Sequence, residues 1–267
     1  MVTEHKRLLI AVLTYPHPSK KYGETVCTAA ISEQGEWTRL YPLDLRALKG
    51  EQFFRKWNWI EAELLQKPPD RDNRPESRTP ILDSIKNVGR VTAERNWSER
   101  TQIVDRMPHK TIREWTEMEN KNLASLGIVR PSEVLDIEIT REREEDWDSK
   151  QEAWMSQLRL FDESPKLRRL EKISWAFHYV FRCEDGTKEY RLKIRDWELM
   201  ELFRKVKNEE GEEAAKQKVR SKFLDVICGK DRDTRFFIGT DHRWRHWLCI
   251  GTFWPPVRQQ GELQFDE

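Results

Sequence analysis

Long apolar runs, glycine-rich phosphate loops and paired cysteines are all missing from this sequence. No apolar run approaches the roughly 18 residues that a membrane-spanning helix needs. Only 11 of the 267 residues are glycine, and neither G-x-x-x-x-G-K-[ST] nor G-x-G-x-x-G occurs. A G-x-S-x-G nucleophile elbow is missing as well. The sequence therefore gives no support for an ATPase, a kinase, a dinucleotide-binding enzyme or an α/β-hydrolase.

The cysteine pattern points to a reducing compartment. The four cysteines, at positions 27, 183, 228 and 249, show no paired spacing, and three lie in apolar stretches that predict buried thiols. The short apolar stretch after Arg7 runs into Tyr15-Pro16-His17-Pro18 without a small-residue cleavage site. It therefore predicts a β-strand and not a signal peptide. We expect a cytoplasmic protein.

Charge is abundant and unevenly distributed. Charged residues make up 36% of the chain, while the net charge is only +1. Residues 1–100 carry a net +3, residues 101–165 a net −6, residues 166–258 a net +7 and residues 259–267 a net −3. Two basic blocks on either side of an acidic one favour two modules and a connector. The 12 Trp and 11 Phe supply large apolar area for the cores of such modules.

The first 95 residues alternate short β-like runs with turn signals. The predicted strands are Leu8–Thr14, Glu24–Ile31, Glu36–Tyr41, Asn58–Leu65 and a closing strand near 81–88. A short helix is expected over 44–56. Five short strands with one helical insertion are typical of a small OB-like barrel.

The rest of the chain predicts helices first and strands afterwards. Apolar spacing over 96–125 indicates two helices divided by Pro108, and Val134–Thr140 returns to β alternation. Hairpins are predicted at 174–194 and 235–253, with two helices between them, the first capped by Asp196. We predict an α+β fold of two OB-like β-barrel modules with helical insertions. The first module covers 1–95. An acidic, mainly helical connector covers 96–165. The second module lies within about 130–258, mainly at 166–258, and an acidic tail at 259–267 follows it.

Aromatic and basic residues alternate in several places. Alternation puts Trp37, Arg39 and Tyr41 on one strand face, and the loop 241–247 contains two Arg, two His and two Trp. Aromatic faces stack on unpaired bases while Arg and Lys neutralise phosphates. The alternative is that the aromatic residues belong to cores. The predicted nucleic-acid contacts are Lys21, Tyr22, Trp37, Arg39, Arg74, Arg243, Trp244 and Arg245.

Carboxylates near the fourth predicted strand raise the possibility of a nuclease. Glu61 and Glu63 share one strand face, and Asp70, Asp72 and Glu76 follow in a loop. Metal-dependent nucleases gather carboxylates in this way, but the nearest lysine, Lys67, lies beyond the strand end. His242, His246 and Cys249 lack a fourth zinc ligand at a suitable spacing. We therefore predict no catalytic residues, no metal and no cofactor.

The segment Gln157-Leu158-Arg159-Leu160-Phe161 resembles the pentapeptide with which bacterial proteins bind the sliding clamp. Leu160 and Phe161 would fill an apolar pocket while Gln157 forms a hydrogen bond beside it. The same residues could equally pack on the protein's own core. The segment predicts a partner-binding site at Gln157, Leu158, Leu160 and Phe161.

Several segments together resemble a bacterial family described as dual-OB-containing. They are Thr14-Tyr15-Pro16, Lys21–Cys27, Gly35–Pro42, Asp72–Ser77, Arg195–Glu198, Phe237–Thr240 and Ile250–Pro256. The resemblance covers nearly the whole chain outside 100–165. It implies two OB-fold barrels and an association with DNA-processing or antiviral defence genes.

These observations favour a bacterial, cytoplasmic accessory protein that binds single-stranded or junction DNA or RNA. Such a protein would support a helicase, a nuclease or a clamp in a DNA-processing or phage-defence complex. One alternative is a protein-binding adaptor that docks a sliding clamp or an operon partner. The other is a metal-dependent nuclease that uses Glu61, Asp70, Asp72 and Glu76.

Overall fold

The computed structural model describes residues 3–65, 72–159, 169–242 and 244–257. Up to residue 90 these form strands, with two single helical turns at 45–47 and 50–52 and a third at 82–84. The strands are β1 (Thr3–Leu13), β2 (His17–Ser19), β3 (Gly23–Thr25), β4 (Thr28–Ser32), β5 (Trp37–Leu40), β6 (Asn58–Leu65), β7 (Ser77–Pro80) and β8 (Lys86–Arg90).

The remaining chain, residues 94–257, is called the C-terminal half below. Its elements are α1 (Glu94–Asp105), α2 (Ile112–Asn120), β9 (Leu126–Val129), β10 (Glu133–Arg141), α3 (Ser149–Arg159), β11 (Trp175–Arg182), β12 (Glu189–Lys193), α4 (Trp197–Glu210), α5 (Glu212–Arg220), β13 (Arg235–Thr240) and β14 (Trp247–Phe253). A π-helical turn at 221–226 follows α5. None of the described helices is both long and apolar enough to cross a lipid bilayer.

Five strands of the N-terminal part close into a barrel. The strand order is β1-β4-β5-β7-β6, and β6 pairs again with β1. The β5–β7 pair is parallel, and the other pairs are antiparallel. A closed five-stranded barrel with this crossover is OB-like, which confirms the predicted barrel in this part of the chain.

The second half of β1, residues 8–13, is buried on both faces, which explains its unbroken apolar run. Leu8 and Ile10 face the interior of the barrel, whereas Leu9 and Ala11 face the C-terminal half. A bulge between Ile10 and Val12 then shifts the register against β4. Because a bulge inserts one residue into the alternation, Val12 faces the C-terminal half like its neighbour Ala11.

Two details of the predicted barrel are wrong. No helix forms over 44–56, because Gly50 adopts a left-handed φ of 53° between two short helical turns. The strand that closes the barrel is β7 and not 81–88, because β7 pairs with β5 on one side and with β6 on the other. β8 overlaps the predicted closing strand but lies outside the barrel, where it pairs with β6.

The C-terminal half contains two three-stranded sheets. Their orders are β10-β11-β12 and β14-β13-β9, and a parallel bridge between Ile194 and Cys249 joins them. The predicted hairpins, the helix break near Pro108 and the Asp196 cap are confirmed, with Asp196 accepting from the Glu198 N–H at 2.7 Å. The predicted connector, 96–165, supplies β9 and β10 to these sheets.

Three apolar cores hold the chain together. One fills the barrel around Phe54 and Ile60, and a second lies in the C-terminal half around Phe177 and Phe203. The third lies between them and takes buried residues from both. All four cysteines are free, with Cys183 and Cys249 buried as predicted and Cys27 and Cys228 half-buried. The barrel and the C-terminal half therefore form one continuous structure.

Candidate nucleic-acid interface

The segment 72–77 fastens the barrel to the C-terminal half. The Asp72 carboxylate accepts two hydrogen bonds from the Arg74 guanidinium, at 2.8 and 2.7 Å, and Arg74 donates to the Thr240 carbonyl at 2.7 Å. The Arg74 hydrogen bonds offset the burial of Asp72 and lower the pKa of its carboxyl to about 2. Glu76 accepts from the Ser125 N–H at 2.7 Å and from the Ser125 hydroxyl at 2.6 Å. This segment is thus an interdomain clasp.

The outer face of β4 and β5 is covered by the C-terminal half. Arg39 is 1% exposed and donates to the carbonyl and hydroxyl oxygens of Ser125 at 2.9 and 3.1 Å. The Trp37 ring packs edge-on against Phe237 with a centroid distance of 5.6 Å. The structure thus buries two of the predicted nucleic-acid contacts, Arg39 and Arg74, and half-buries a third, Trp37, against the C-terminal half. While this interface is closed, the guanidinium groups of Arg39 and Arg74 cannot neutralise a phosphate.

Two glycines allow the close approach at this interface. A Cβ on Gly251 would lie 3.3 Å from the Val12 side chain. A Cβ on Gly239 would lie 2.9 Å from Ile250 and 3.0 Å from Leu126 within the C-terminal half, and 3.5 Å from the Arg39 guanidinium across the interface. Both glycines belong to segments that resemble the dual-OB family. The structure assigns them a packing role.

A buried ion pair crosses the same interface. The Lys56 ammonium lies 3.4 Å from an Asp196 oxygen and 2.8 Å from a Glu198 oxygen. Lys56 is 8% exposed, and Asp196 is completely buried. Burial raises the pKa of Asp196, and the nearby Lys56 ammonium opposes this rise. Lys56 thus supplies the compensating positive charge for the buried carboxylate.

The loop between β13 and β14 holds an exposed tryptophan. The Asp241 carboxylate accepts from the Trp244 N–H at 2.5 Å and from the His246 N–H at 3.1 Å. These bonds fix the loop backbone, while Trp244 remains 65% exposed. Arg245 forms an ion pair with Glu119 and donates to the Asn122 side chain at 3.0 Å. Polar groups thus fix the backbone of the loop, and the Trp244 indole lies exposed at its surface.

Loops from both parts of the chain meet around Asn122. The Asn122 side chain donates to the carbonyl of Asn73 at 3.3 Å and accepts from Arg245. Leu123 beside it is 62% exposed. We call this place the loop junction; its described members are Asn73, Asn122, Leu123, Trp244, Arg245 and His246. Sequence reasoning missed Asn73, Asn122 and Leu123, because neither their type nor their spacing distinguishes them from ordinary turn residues.

The other predicted contacts lie away from this junction or outside the described residues. Lys21 and Tyr22 lie in the turn between β2 and β3, with the Lys21 ammonium 5.1 Å from the Tyr22 ring centroid. That hairpin lies beside α3, where His17 contacts Trp147. Arg243 lies outside the described residues.

The clamp-like pentapeptide is described only in part. The backbone of residues 157–159 belongs to helix α3. Leu160 and Phe161 lie outside the described residues. The partner-binding role of Gln157, Leu158, Leu160 and Phe161 stays a prediction.

The carboxylates considered for nuclease chemistry are spread out. Asp72 and Glu76 belong to the interdomain clasp, and Glu61 lies 4.0 Å from His5 on the barrel surface. Asp70 falls outside the described residues. Within the described ranges, no group of three His, Cys, Asp or Glu side chains is arranged to hold a metal ion.

The outer face of β10, β11 and β12 carries charges that neutralise one another. Arg182 pairs with Glu133 and Glu189 at 2.7 and 2.6 Å, and Arg191 pairs with Glu138 at 2.5 Å. Further pairs on or beside this face are Arg220–Asp136 and Lys193–Glu142. Because its cations already have carboxylate partners, this face offers little net attraction to a phosphate backbone.

His178 on this face makes stability depend on pH. Burial, together with Arg191 and Lys193, lowers the pKa of His178 to about 4, and Arg191 lies 3.1 Å from its Nδ1. The unfolded chain takes up this proton near pH 6.5, but the folded chain does so only near pH 4. The stability contributed by His178 is thus complete above pH 6.5 and is lost as the pH falls towards 4.

We expect His178→Gln to remove this contribution. Urea denaturation at pH 7.5, 5.5 and 4.5 should show the wild type losing more unfolding free energy on acidification than the variant does. Three other buried titratable groups are common to both proteins. Burial also lowers the pKa values of His17 and His109, and it raises the pKa of Asp196, which acts in the opposite direction. Parallel pH profiles for the two proteins would contradict the assignment.

Fold and geometry together define an α+β protein built on a closed OB-like barrel, with an exposed tryptophan at a loop junction. The chain belongs to the family described as Domain of unknown function (DUF8757), whose model matches residues 108–267. A second model, Domain of unknown function (DUF8758), matches residues 4–106. The two matches meet between α1 and α2.

Comparison with individual proteins adds little to this assignment. No curated protein matches the chain. One solved structure, "Crystal structure of the tetrameric p202 HIN2", aligns over 97% of this chain and 96% of that chain, with 8% sequence identity and a TM-score of 0.30. A TM-score of that size does not establish a common fold.

Proposed function

We propose that this protein is a non-catalytic accessory protein that binds single-stranded or junction nucleic acid at the loop junction. The observation that carries the proposal is Trp244, held 65% exposed in a loop whose backbone is fixed by Asp241. Single-strand binders stack unpaired bases on exposed aromatic rings of this kind.

Strand connectivity supports an OB-like arrangement in the C-terminal half as well. In this arrangement, β9 and β10 together correspond to the bent first strand of an OB fold, because β9 pairs with β13 and β10 pairs with β11. Two helices separate β12 from β13, and the Ile194–Cys249 bridge runs parallel. Under this assignment, the β13–β14 loop corresponds to the β6–β7 loop of the barrel. OB folds bind oligonucleotides through the loop in this position.

The two corresponding loops meet at the loop junction. Asn122 bridges them, with a hydrogen bond to Asn73 on one side and another to Arg245 on the other. Lys67, Arg71 and Arg243 belong to these two loops by sequence. The barrel face that carries Trp37 and Arg39 is occupied by protein, so the proposal places the nucleic acid on the loops and not on that face.

Trp244→Ala is expected to weaken binding of single-stranded DNA or RNA by about fivefold or more, since stacking on one aromatic contributes roughly 1–3 kcal/mol. Fluorescence anisotropy of labelled oligonucleotides at two salt concentrations measures this effect. Wild-type affinity should fall as salt rises, because bound phosphates release counterions.

The matched control for this substitution is Phe53→Ala, which removes another exposed aromatic side chain, 43% exposed, on the barrel surface. It should leave the affinity for nucleic acid unchanged. Equal affinities for all three proteins, or binding that does not respond to salt, would contradict the proposed site.

The biological setting is also a proposal. The resemblance to the dual-OB family supports a role in a bacterial DNA-processing or defence complex. The resemblance of the segment 157–161 to the clamp-binding pentapeptide supports a second function as an adaptor for a sliding clamp. Pull-down with a bacterial clamp tests the adaptor, and capture that is unchanged in Leu160→Ala/Phe161→Ala would remove the segment from consideration.

A further inference from the structure

Strand β8 forms an open edge on the barrel sheet. Its five residues, Lys86–Arg90, are all exposed, and the sheet order ends at this strand. β6 pairs with one side of β8, and no other described strand pairs with the opposite side. An edge strand of this length spans about 17 Å and presents backbone N–H and C=O groups to an incoming strand.

Apolar side chains cluster around this edge. Phe53, Leu82 and Val88 are 43%, 38% and 39% exposed. The Gln52 side chain donates to the Leu82 carbonyl at 3.0 Å, and the Asn87 side chain donates to the Phe53 carbonyl at 3.0 Å. These two bonds hold the three apolar side chains close to the strand. Exposed apolar groups gathered at one place mark an interaction surface.

Strand β8 itself carries two cations and no carboxylate. Lys86 and Arg90 lie at its two ends, and Arg55 lies over the Phe53 ring at 5.6 Å. The neighbouring carboxylates, Glu51, Asp83, Glu61 and Glu63, lie on the adjacent helical turns and on β6. An acidic strand laid along β8 is therefore attracted to the two cations of β8.

The same charges oppose self-association. If two copies paired antiparallel about Val88, Lys86 of each copy would face Arg90 of the other, and like charges directly opposite are destabilising. A second copy of this chain is thus disfavoured as the occupant.

We propose that the β8 edge binds an extended acidic peptide by β-strand addition, with apolar side chains of the peptide resting on Phe53, Leu82 and Val88. Backbone hydrogen bonds would give affinity, while the acidic side chains would pair with Lys86 and Arg90. This surface shares no residue with the loop junction, so it gives the protein a peptide-binding function beside the proposed nucleic-acid site.

Fluorescence anisotropy with two labelled peptides tests the proposal. One peptide alternates Glu with Val and Phe, and the other has Lys in place of each Glu. The acidic peptide should bind the wild type more tightly, and Lys86→Glu/Arg90→Glu should weaken it about tenfold. The same variant should now prefer the basic peptide. A third peptide, N-methylated on alternate backbone nitrogens, should lose binding, because it cannot complete the strand pairing.

Two controls separate this proposal from that for the loop junction. Lys205→Glu, an exposed charge reversal on α4, should bind the acidic peptide like the wild type. Trp244→Ala should also keep peptide binding. Equal affinity for both peptides, or full binding of the N-methylated peptide, would overturn the proposal. So would a wild-type dimer in sedimentation that dissociates in Lys86→Glu/Arg90→Glu, because a second copy would then occupy the edge.

Discussion

Lys56→Met is expected to lower the free energy of unfolding by about 3–5 kcal/mol, the usual cost of breaking a buried ion pair from one side. Methionine keeps most of the side-chain volume, so the main loss is the positive charge beside Asp196. That carboxylate is completely buried and would be left in the interface without its compensating ammonium group. Urea denaturation at pH 7.5, followed by tryptophan fluorescence, measures the change.

The double variant Lys56→Met/Asp196→Asn provides the control. Asparagine still caps α4 but carries no charge, so it should recover a large part of the lost stability. Failure of the second substitution to restore stability would show that Lys56 contributes through packing and not through its charge. A loss below about 1 kcal/mol for Lys56→Met, typical of exposed ion pairs, would contradict the assigned burial.

Arg39→Met is expected to lower the free energy of unfolding by about 3 kcal/mol, because it removes charge-assisted hydrogen bonds to Ser125 from a buried site. The guanidinium donates to both oxygens of Ser125 and also to the Cys27 sulfur at 3.0 Å. Affinity for single-stranded nucleic acid, measured where the variant is folded, should be unchanged. This result would show that Arg39 stabilises the interface between the barrel and the C-terminal half, and that it is not the nucleic-acid contact that its sequence position suggested.

Arg55→Met is the matched control for this experiment. Arg55 is an exposed arginine of the same barrel, and a surface substitution of this kind should change stability by no more than about 0.5 kcal/mol. If Arg39→Met instead kept full stability and lost nucleic-acid binding, Arg39 would be a ligand contact and the covered face would have to open.

Short-range patterns located most elements correctly. Apolar runs, alternation and turn residues predicted the strands that became β1, β6, β13 and β14, and helical spacing on either side of Pro108 predicted α1 and α2. The donor to the Asp196 cap, the Glu198 N–H, lies only two residues along the chain. Each of these features depends on contacts between near neighbours in sequence, which is why composition and spacing were sufficient to predict them.

The functional residues depended on long-range contacts. Trp37, Arg39 and Arg74 have the types and spacing of a nucleic-acid surface, yet they contact Phe237, Ser125 and Thr240 from the other end of the chain. Nothing in the residues 37–39 distinguishes a strand face that binds a ligand from one that binds another domain. Both uses need exposed aromatic rings and directed hydrogen-bond donors before the partner arrives.

The sequence by itself determined the OB-like barrel, the hairpins of the C-terminal half and the exposed tryptophan loop, since local alternation and turn chemistry specify these features. Tertiary structure alone decided which of the candidate faces is covered, which loops meet at Asn122 and where Lys56 finds Asp196. Those outcomes follow from the docking of two apolar surfaces, Leu9 and Ala11 on one side and Phe237 and Phe253 on the other. Burial of apolar area is non-directional, so a sequence records that such surfaces exist but not which surface each of them meets.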